Sequence, residues 1–326
     1  MEKRKTTGLV LGKFMPPHKG HFHLINFARN YVDNLYIIVE KTKNEPIPSE
    51  LRITWLRSAF PECKILHLTD LNPQEPVENP DFWKIWQNSL NKILPQKVDY
   101  IFASENYGHK LAELLDTEFI PVDMNRESVP ISATQIRNNP DKYWEYIPDA
   151  VKPYYVKKAC IVGPESTGKS TLADNLANHY KTKYVPEYAK TLIHSQKGKL
   201  SYRDMSKIAK GQLALERSVI PSSNRVLICD TDILTTTVWS NFLYGKCDNW
   251  LEKAAINNHY DLYLLMDIDV PWIDDVHRYS PDNRDHFYTM IKNKLIEKKA
   301  GFVEINGTWN ERLQKSIAAI DLLLQI

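Results

Sequence analysis

The chain has 326 residues, enough for two domains of about 150 residues each, and its 42 Lys and Arg against 40 Asp and Glu leave a formal charge of +2. That balance does not fit the chain-wide basic field of a nucleic-acid binder, and no apolar run approaches the roughly 20 residues of a membrane span. Cys63, Cys160, Cys229 and Cys247 are dispersed with no CxxC pair, which argues against a zinc cluster or a disulfide framework and fits a reducing cytoplasm.

The basic residues from Met1 to Lys5 precede an apolar run that Gly12 and Lys13 interrupt, too short for a secretory signal. β-Rich apolar runs predict strands at Gly8–Leu11, Leu35–Val39, Lys64–Leu68, Tyr100–Ala103 and Phe119–Val122. Helical periodicity fills the gaps at His21–Tyr31, Pro48–Ala59, Asp81–Leu94 and His109–Leu115, and Ser132 reads as the N-cap of a further helix to Asn138. Short strands alternating with helices predict a parallel α/β sheet. From Pro140 to Lys158 strand character is lost, and the alternation then restarts with strands at Ala159–Val162, Lys183–Val185, Arg225–Cys229, Asp261–Met266 and Gly301–Ile305. The expected fold class is therefore α/β, with two doubly wound domains at 1–156 and 157–326.

In the second half, Gly163-Pro164-Glu165-Ser166-Thr167-Gly168-Lys169-Ser170 lies between a strand and a helix predicted at Lys169–Tyr180. GxxxxGKS in that setting is a P-loop: backbone N–H groups from Gly163 through Glu165, Ser166, Thr167 and Gly168 toward Thr171 face ATP phosphates. Lys169 would reach the β- and γ-phosphates and Ser170 would ligate Mg²⁺. Val226-Leu227-Ile228-Cys229-Asp230-Thr231-Asp232 ends a buried strand in acids, and Glu187 follows another strand. Because ligands of open α/β sheets bind beyond the strands' carboxyl ends, Asp230, Asp232 and Glu187 are expected to converge on a substrate hydroxyl. A small alcohol needs a carboxylate to take its proton. Asp230 is favoured as base and Mg²⁺ organiser, with Glu187 as the alternative. Arg278 and Arg284 lie where small P-loop kinases close a lid over the transferring phosphoryl. Trp239 and Trp250 are candidates for stacking on an aromatic ring. Glu216-Arg217-Ser218 resembles a deoxynucleoside-kinase triplet but precedes its strand, and is set aside.

In the first half, Gly12-Lys13-Phe14-Met15-Pro16-Pro17-His18-Lys19-Gly20-His21 is paired with a later Ile131-Ser132-Ala133-Thr134-Gln135-Ile136-Arg137. Gly12 allows close approach of backbone to phosphate, and His18 and His21 at i and i+3 can address one phosphate group. Ser132, Thr134 and Arg137 add hydroxyls and a cation. A phosphomonoester attacking the α-phosphate of ATP is already anionic, so orientation and charge stabilisation suffice and no nucleophilic side chain is needed.

GxFxPxHxGH with ISxTxxR resembles the nucleotidyltransferase superfamily, and the order of features along nearly the whole chain resembles the bifunctional NadR-type enzymes. Ala103-Ser104-Glu105-Asn106-Tyr107-Gly108, Val122 to Arg126 and Val185-Pro186-Glu187-Tyr188-Ala189 also carry the likeness. The resemblance implies nicotinamide mononucleotide adenylyltransferase joined to ribosylnicotinamide kinase, with ATP as co-substrate, Mg²⁺ as cofactor and NAD as product. It implies ATP binding by Gly12, Lys13, Phe14, His18, Gly20, His21, Arg126, Ser132, Thr134 and Arg137. It further implies a catalytic-site role for Arg52, and nicotinamide stacking near Trp83 and Trp86. Glu187, Asp230 and Trp239 would hold the riboside. Lys13 replaces an arginine of many relatives, keeping charge but not the fork, and the Asp275-Val276-His277-Arg278 lid lacks an expected glycine. Enteric NadR proteins resemble this chain plus an N-terminal helix-turn-helix; a first strand near Gly8 leaves no room for one, so no nucleic-acid or membrane partner is expected. A homo-oligomer is compatible with the sequence. The rivals are an HxGH transferase–kinase of coenzyme A synthesis and a non-catalytic NAD or ATP sensor.

Overall fold

The computed structural model describes residues 4–273 and 283–325. Two compact units divide the chain, Met1–Lys152 and Pro153–Ile326. The first unit runs β1 (Thr7–Gly12), α1 (Lys19–Tyr31), β2 (Asn34–Glu40), α2 (Ser49–Ala59), β3 (Lys64–Leu68), α3 (Phe82–Ile93), β4 (Tyr100–Ala103), α4 (Tyr107–Leu115), β5 (Glu118–Pro121) and α5 (Ala133–Asn138). Its strands pair in parallel in the order β3-β2-β1-β4-β5. Parallel strands covered on both faces must be apolar throughout. Alternate residues then feed opposite layers: Val10, Ile37, Val39 and Phe102 pack with Leu24, Ile25 and Leu56, while Leu9, Leu11, Tyr36, Ile38 and Ile101 pack with Phe82, Trp86, Leu90 and Leu111. The strand order reverses beside β1, which puts the loop after β1 at the switch point where such sheets bind ligands.

After a short helix α6 (Lys152–Tyr155), the second unit runs β6 (Lys157–Val162), α7 (Lys169–Tyr180), β7 (Tyr184–Val185), α8 (Tyr188–Ser195), α9 (Tyr202–Val219), β8 (Val226–Asp230), α10 (Ile233–Tyr244), α11 (Asn249–Asn257), β9 (Leu262–Met266), α12 (Arg284–Glu297), β10 (Phe302–Ile305) and α13 (Trp309–Leu324). All pairings are parallel, in the order β10-β9-β6-β8-β7. Ala159, Ile161, Ile228, Leu264 and Met266 form one layer with Leu172, Leu176, Ile320 and Leu324. Here the first strand, β6, stands at the reversal, so its following loop again occupies the switch point. Both sheets match the α/β expectation. The sequence reading placed every strand within two residues at each end, but specified only one helix, α7, in this unit. No helix among the described residues is long and apolar enough to cross a membrane.

Candidate active sites

In the first unit the loop from β1 into α1 is built around its histidines. His18 is the N-cap of α1, and its Nδ1 accepts from the His21 N–H while His21 Nδ1 accepts from the His18 N–H, both at 3.3 Å. This is a capping box made of two imidazoles. The rings stack with centroids 3.7 Å apart, and a Cβ on Gly20 would stand 3.0 Å from the His18 ring, so a larger residue there would have to push that ring aside. Burial and then Arg126 lower the His18 pKa to about 4. Desolvation, the His18 ring and Arg126 hold His21 well below its ordinary value. Both rings are therefore neutral at pH 7. Since each Nδ1 accepts, each proton sits on Nε2, leaving two N–H donors outside the capping box. Such donors suit phosphate oxygens.

The start of α5 adjoins this loop: a Cβ on Gly20 would lie 3.7 Å from Ile131. Ser132 caps α5 in a capping box with Gln135. Arg137 donates to the Met15 carbonyl and, at 3.0 Å, to Thr134 Oγ1, tying the two motifs together. Arg126 pairs with Glu105 at 2.9 Å. Lys13 is exposed. Phe14, buried with φ +50, sets its ring edge-on to His21 at 5.0 Å and belongs to the core. Gly12 ends β1.

Two expectations for the mononucleotide side change. The Arg52 side chain is wholly buried and donates to the Lys13 and Glu40 carbonyls and to Glu45. Both terminal nitrogens of its fork are engaged within the protein, which braces the loop at Lys13. Trp86 is a core residue whose indole N–H donates to the Pro73 carbonyl at 2.9 Å. Trp83 is partly buried and edge-on to Phe82, which leaves it as the member of the pair with exposed ring.

In the second unit the P-loop is held tightly. Gly168 has φ +82, and a Cβ there would collide with the Trp309 ring at 2.3 Å. Thr167 Oγ1 and Lys169 Nζ both donate to the Pro164 carbonyl, at 2.9 and 2.7 Å. Burial lowers the Lys169 pKa against the opposing pull of Glu187 and Asp230. Arg312 of α13, fully buried, donates to the Thr167 carbonyl at 3.0 Å, to the Gly307 carbonyl at 2.9 Å and to Asp269. Sequence reading did not single it out.

A cavity of about 220 Å³ opens on this loop. It is lined by Gly163 and Glu165 to Ser170 of the loop, by Glu187, Lys190, Gln212 and Thr231, and by the apolar Leu200, Met205, Ile208, Trp239 and Leu243. Thr171 is exposed beyond it. Of the three expected acids, Glu187 and Asp230 meet at the Lys190 ammonium, whereas Asp232 is turned away. Asp230 is 1% exposed and its Oδ2 accepts from Ser170 Oγ at 2.5 Å. Asp232 is the N-cap of α10: its Oδ1 accepts from the Thr235 N–H at 2.9 Å and Oδ2 from Tyr263 Oη at 2.9 Å. Glu187 lines the cavity, which makes it the more accessible of the two candidate bases. Lys190, also missed, places Nζ 2.7 Å from Ser170 Oγ, 3.3 Å from Glu187 and 3.6 Å from Asp230. Burial opposes its charge, but the two carboxylates outweigh burial and raise its pKa.

Trp239 lies on the cavity wall, 4.2 Å from the Phe287 ring. Trp250 is exposed, bonded to Ser206 Oγ at 3.0 Å and absent from that wall. Arg284 donates to the Val270 carbonyl at 3.0 Å and lies 6.0 Å from the Trp272 ring, also off the wall. Arg278 falls outside the described residues. Glu216 forms a buried pair with Lys158 at 2.6 Å, consistent with setting its triplet aside. No three His, Cys, Asp or Glu side chains among the described residues could hold a metal. Mg²⁺ does not require that many, since it takes one or two protein oxygens and completes its shell with phosphate and water. The hard donors of Ser170 and Asp230, beside a spot that already attracts the Lys190 ammonium, fit that pattern.

Residues 9–139 match the cytidylyltransferase-like family and residues 158–312 the AAA domain family. Two solved structures share the fold: NadR protein in complex with NR (TM-score 0.82, 22% identity, 99% of this chain and 97% of that one) and NadR protein in complex with NAD and AMP-PNP (TM-score 0.80, 22% identity, the same coverage). The trifunctional NAD biosynthesis/regulator protein NadR of Escherichia coli (strain K12) is 32% identical over 93% of this chain and 79% of its own length. On that extent of identity across both motif-bearing halves, the chain belongs to the NadR family.

Proposed function

We propose that this chain carries out two consecutive ATP-dependent steps, phosphorylation of the 5′-hydroxyl of ribosylnicotinamide and adenylyl transfer to the resulting mononucleotide. The observation that carries the reading is the cavity lined both by the P-loop and by the apolar side chains of Met205, Ile208 and Trp239. It suits an acceptor alcohol attached to a flat ring. NR, NAD and AMP-PNP are the molecules named with the NadR proteins that share this fold.

In the kinase step Lys169 neutralises the β- and γ-phosphates, with the loop N–H groups at the helix N-terminus. Glu187 takes the hydroxyl proton as the sugar oxygen bonds to the γ-phosphorus and the bond to the leaving ADP breaks. Ser170 and Asp230 would hold Mg²⁺, which when bound supplies charge neutralisation on the phosphates. Trp239 faces the nicotinamide ring. In the transferase step a mononucleotide phosphate oxygen attacks the α-phosphorus of ATP and pyrophosphate leaves, with no proton to move. The Nε2–H groups of His18 and His21 stabilise the charge, with Ser132, Thr134, Arg126 and Arg137 around them. Arg52 positions the loop, and Trp83 offers a ring to the mononucleotide.

The test is chromatographic: purified protein with riboside, ATP and Mg²⁺ should yield the mononucleotide and then NAD. Parallel reactions with nicotinamide mononucleotide, nicotinic acid mononucleotide and phosphopantetheine should release most pyrophosphate with a nicotinamide-type substrate. Failure to form mononucleotide from the riboside would sink the kinase half; release with phosphopantetheine alone would favour the coenzyme A reading.

A further inference from the structure

The Asp230-Thr231-Asp232 corner commits two of its three side chains to the protein. Asp230 Oδ2 is fixed to Ser170 while its Oδ1 has no hydrogen-bond partner among the described residues, and Asp232 is consumed by the α10 cap and Tyr263. Thr231, between them, is 7% exposed, lines the cavity, and has a buried hydroxyl with no hydrogen-bond partner among the described residues. Its backbone has φ +69, a conformation unfavourable for a β-branched residue. Such strain persists only where the surroundings over-determine it. Here they do: the Thr231 N–H donates to the Ile161 carbonyl at 2.9 Å, and its carbonyl accepts from Gln212 Nε2 at 3.4 Å. Gln212 is in turn held by accepting from the Tyr188 N–H at 2.9 Å.

A buried, unpaired hydroxyl is costly unless something else satisfies it. Thr231 follows directly on the residue that grips the P-loop serine, and it lines the cavity together with that serine. The part of a riboside between its reacting alcohol and its flat ring is the sugar. A threonine hydroxyl both donates and accepts, which matches a sugar alcohol. We infer that Thr231 is a specificity-determining residue of the kinase site, its hydroxyl hydrogen-bonding a secondary hydroxyl of the ribose. This rests on the riboside-kinase reading above.

The experiment measures kcat/KM of the wild-type enzyme and of Thr231→Val and Thr231→Ser for ribosylnicotinamide and its 2′-deoxy and 3′-deoxy analogues. A site built to bond a hydroxyl rejects the analogue that lacks it, so the wild type should disfavour one analogue by roughly 10- to 100-fold. Thr231→Val, of equal shape, should erase that preference, and Thr231→Ser should keep most of it. Indifference of the wild type to both deletions, or an equal loss on all three substrates in Thr231→Val, overturns the inference. The wild-type comparison stands even if a variant fails to fold. A wild type that phosphorylates no riboside overturns the kinase reading and this inference together, whereas normal turnover with indifference to the deletions overturns this one alone.

Discussion

In the first unit the phosphate loop after β1 is gripped by Arg52 from α2, and in the second the loop after β6 is gripped by Arg312 from α13. Each arginine is fully buried, each donates to a loop carbonyl, and each is paired with an acid, Glu45 or Asp269. The supports are alike, but the groups they steady differ. One loop offers two neutral imidazole N–H donors; the other is flanked by Lys169, Lys190, Glu187 and Asp230. The proposed chemistry accounts for the difference. A phosphate nucleophile needs no base, so donors that stabilise charge on the transferring group suffice, whereas an alcohol needs a carboxylate beside the transferring phosphoryl.

The sharpest way to break this comparison is to remove one cation or one donor and read both reactions. Lys169→Ala should lower riboside phosphorylation by roughly a thousand-fold, and His21→Ala should lower adenylyl transfer by about 100- to 1,000-fold. Each should leave the other reaction, assayed with its own supplied substrate, within about twofold. Loss of both activities in either variant would show that the two loops do not act as separate sites. Next in size, Arg52→Met and Arg312→Met should each destabilise their own unit by about 2–4 kcal/mol, because each leaves two backbone carbonyls unpaired and its partner acid without a cation. Denaturant unfolding read by fluorescence measures this, and Arg→Lys should rescue little, since an ammonium cannot replace the fork. A loss under about 1 kcal/mol in Arg312→Met would mean the P-loop does not depend on that support.

The strands and both phosphate loops were legible because their signals are local. Runs such as Val226 to Cys229 and GxxxxGKS need no partner elsewhere to be recognised. Arg312 was not singled out because the Thr167 carbonyl it bonds lies 145 residues away along the chain. Some errors had a remedy in the sequence. Phe82, Trp86 and Leu90 recur at i, i+4 and i+8, the spacing of a buried helix stripe, which marks Trp86 as core before any stacking role. Asp232 followed three residues later by Thr235 is a helix-start pattern, and Ser201-x-x-Asp204 and Thr308-x-x-Glu311 mark the capping boxes of α9 and α13. Thr231 had no such signal, because its importance rests on a backbone angle and an unmet hydroxyl.

The smallest expected effect tests whether the imidazole loop is held neutral. His18 is 6% exposed, and burial with the nearby Arg126 lowers its pKa from 6.5 to about 4. Between those values the unfolded chain binds a proton at this site that the folded chain does not. Its contribution to stability is therefore complete above pH 6.5, declines as pH falls toward 4, and is gone below that. From pH 7 to pH 5 the loss from His18 is on the order of 2 kcal/mol, and His21, shifted the same way, adds to it. His18→Asn keeps an N-cap side chain but removes this titration. Urea unfolding of the first unit at the two pH values should show the wild type losing more stability than His18→Asn. Equal losses would mean His18 is protonated as readily in the folded protein as in the unfolded chain, and the pair of neutral donors would have to be abandoned in favour of a charged imidazolium at the phosphates.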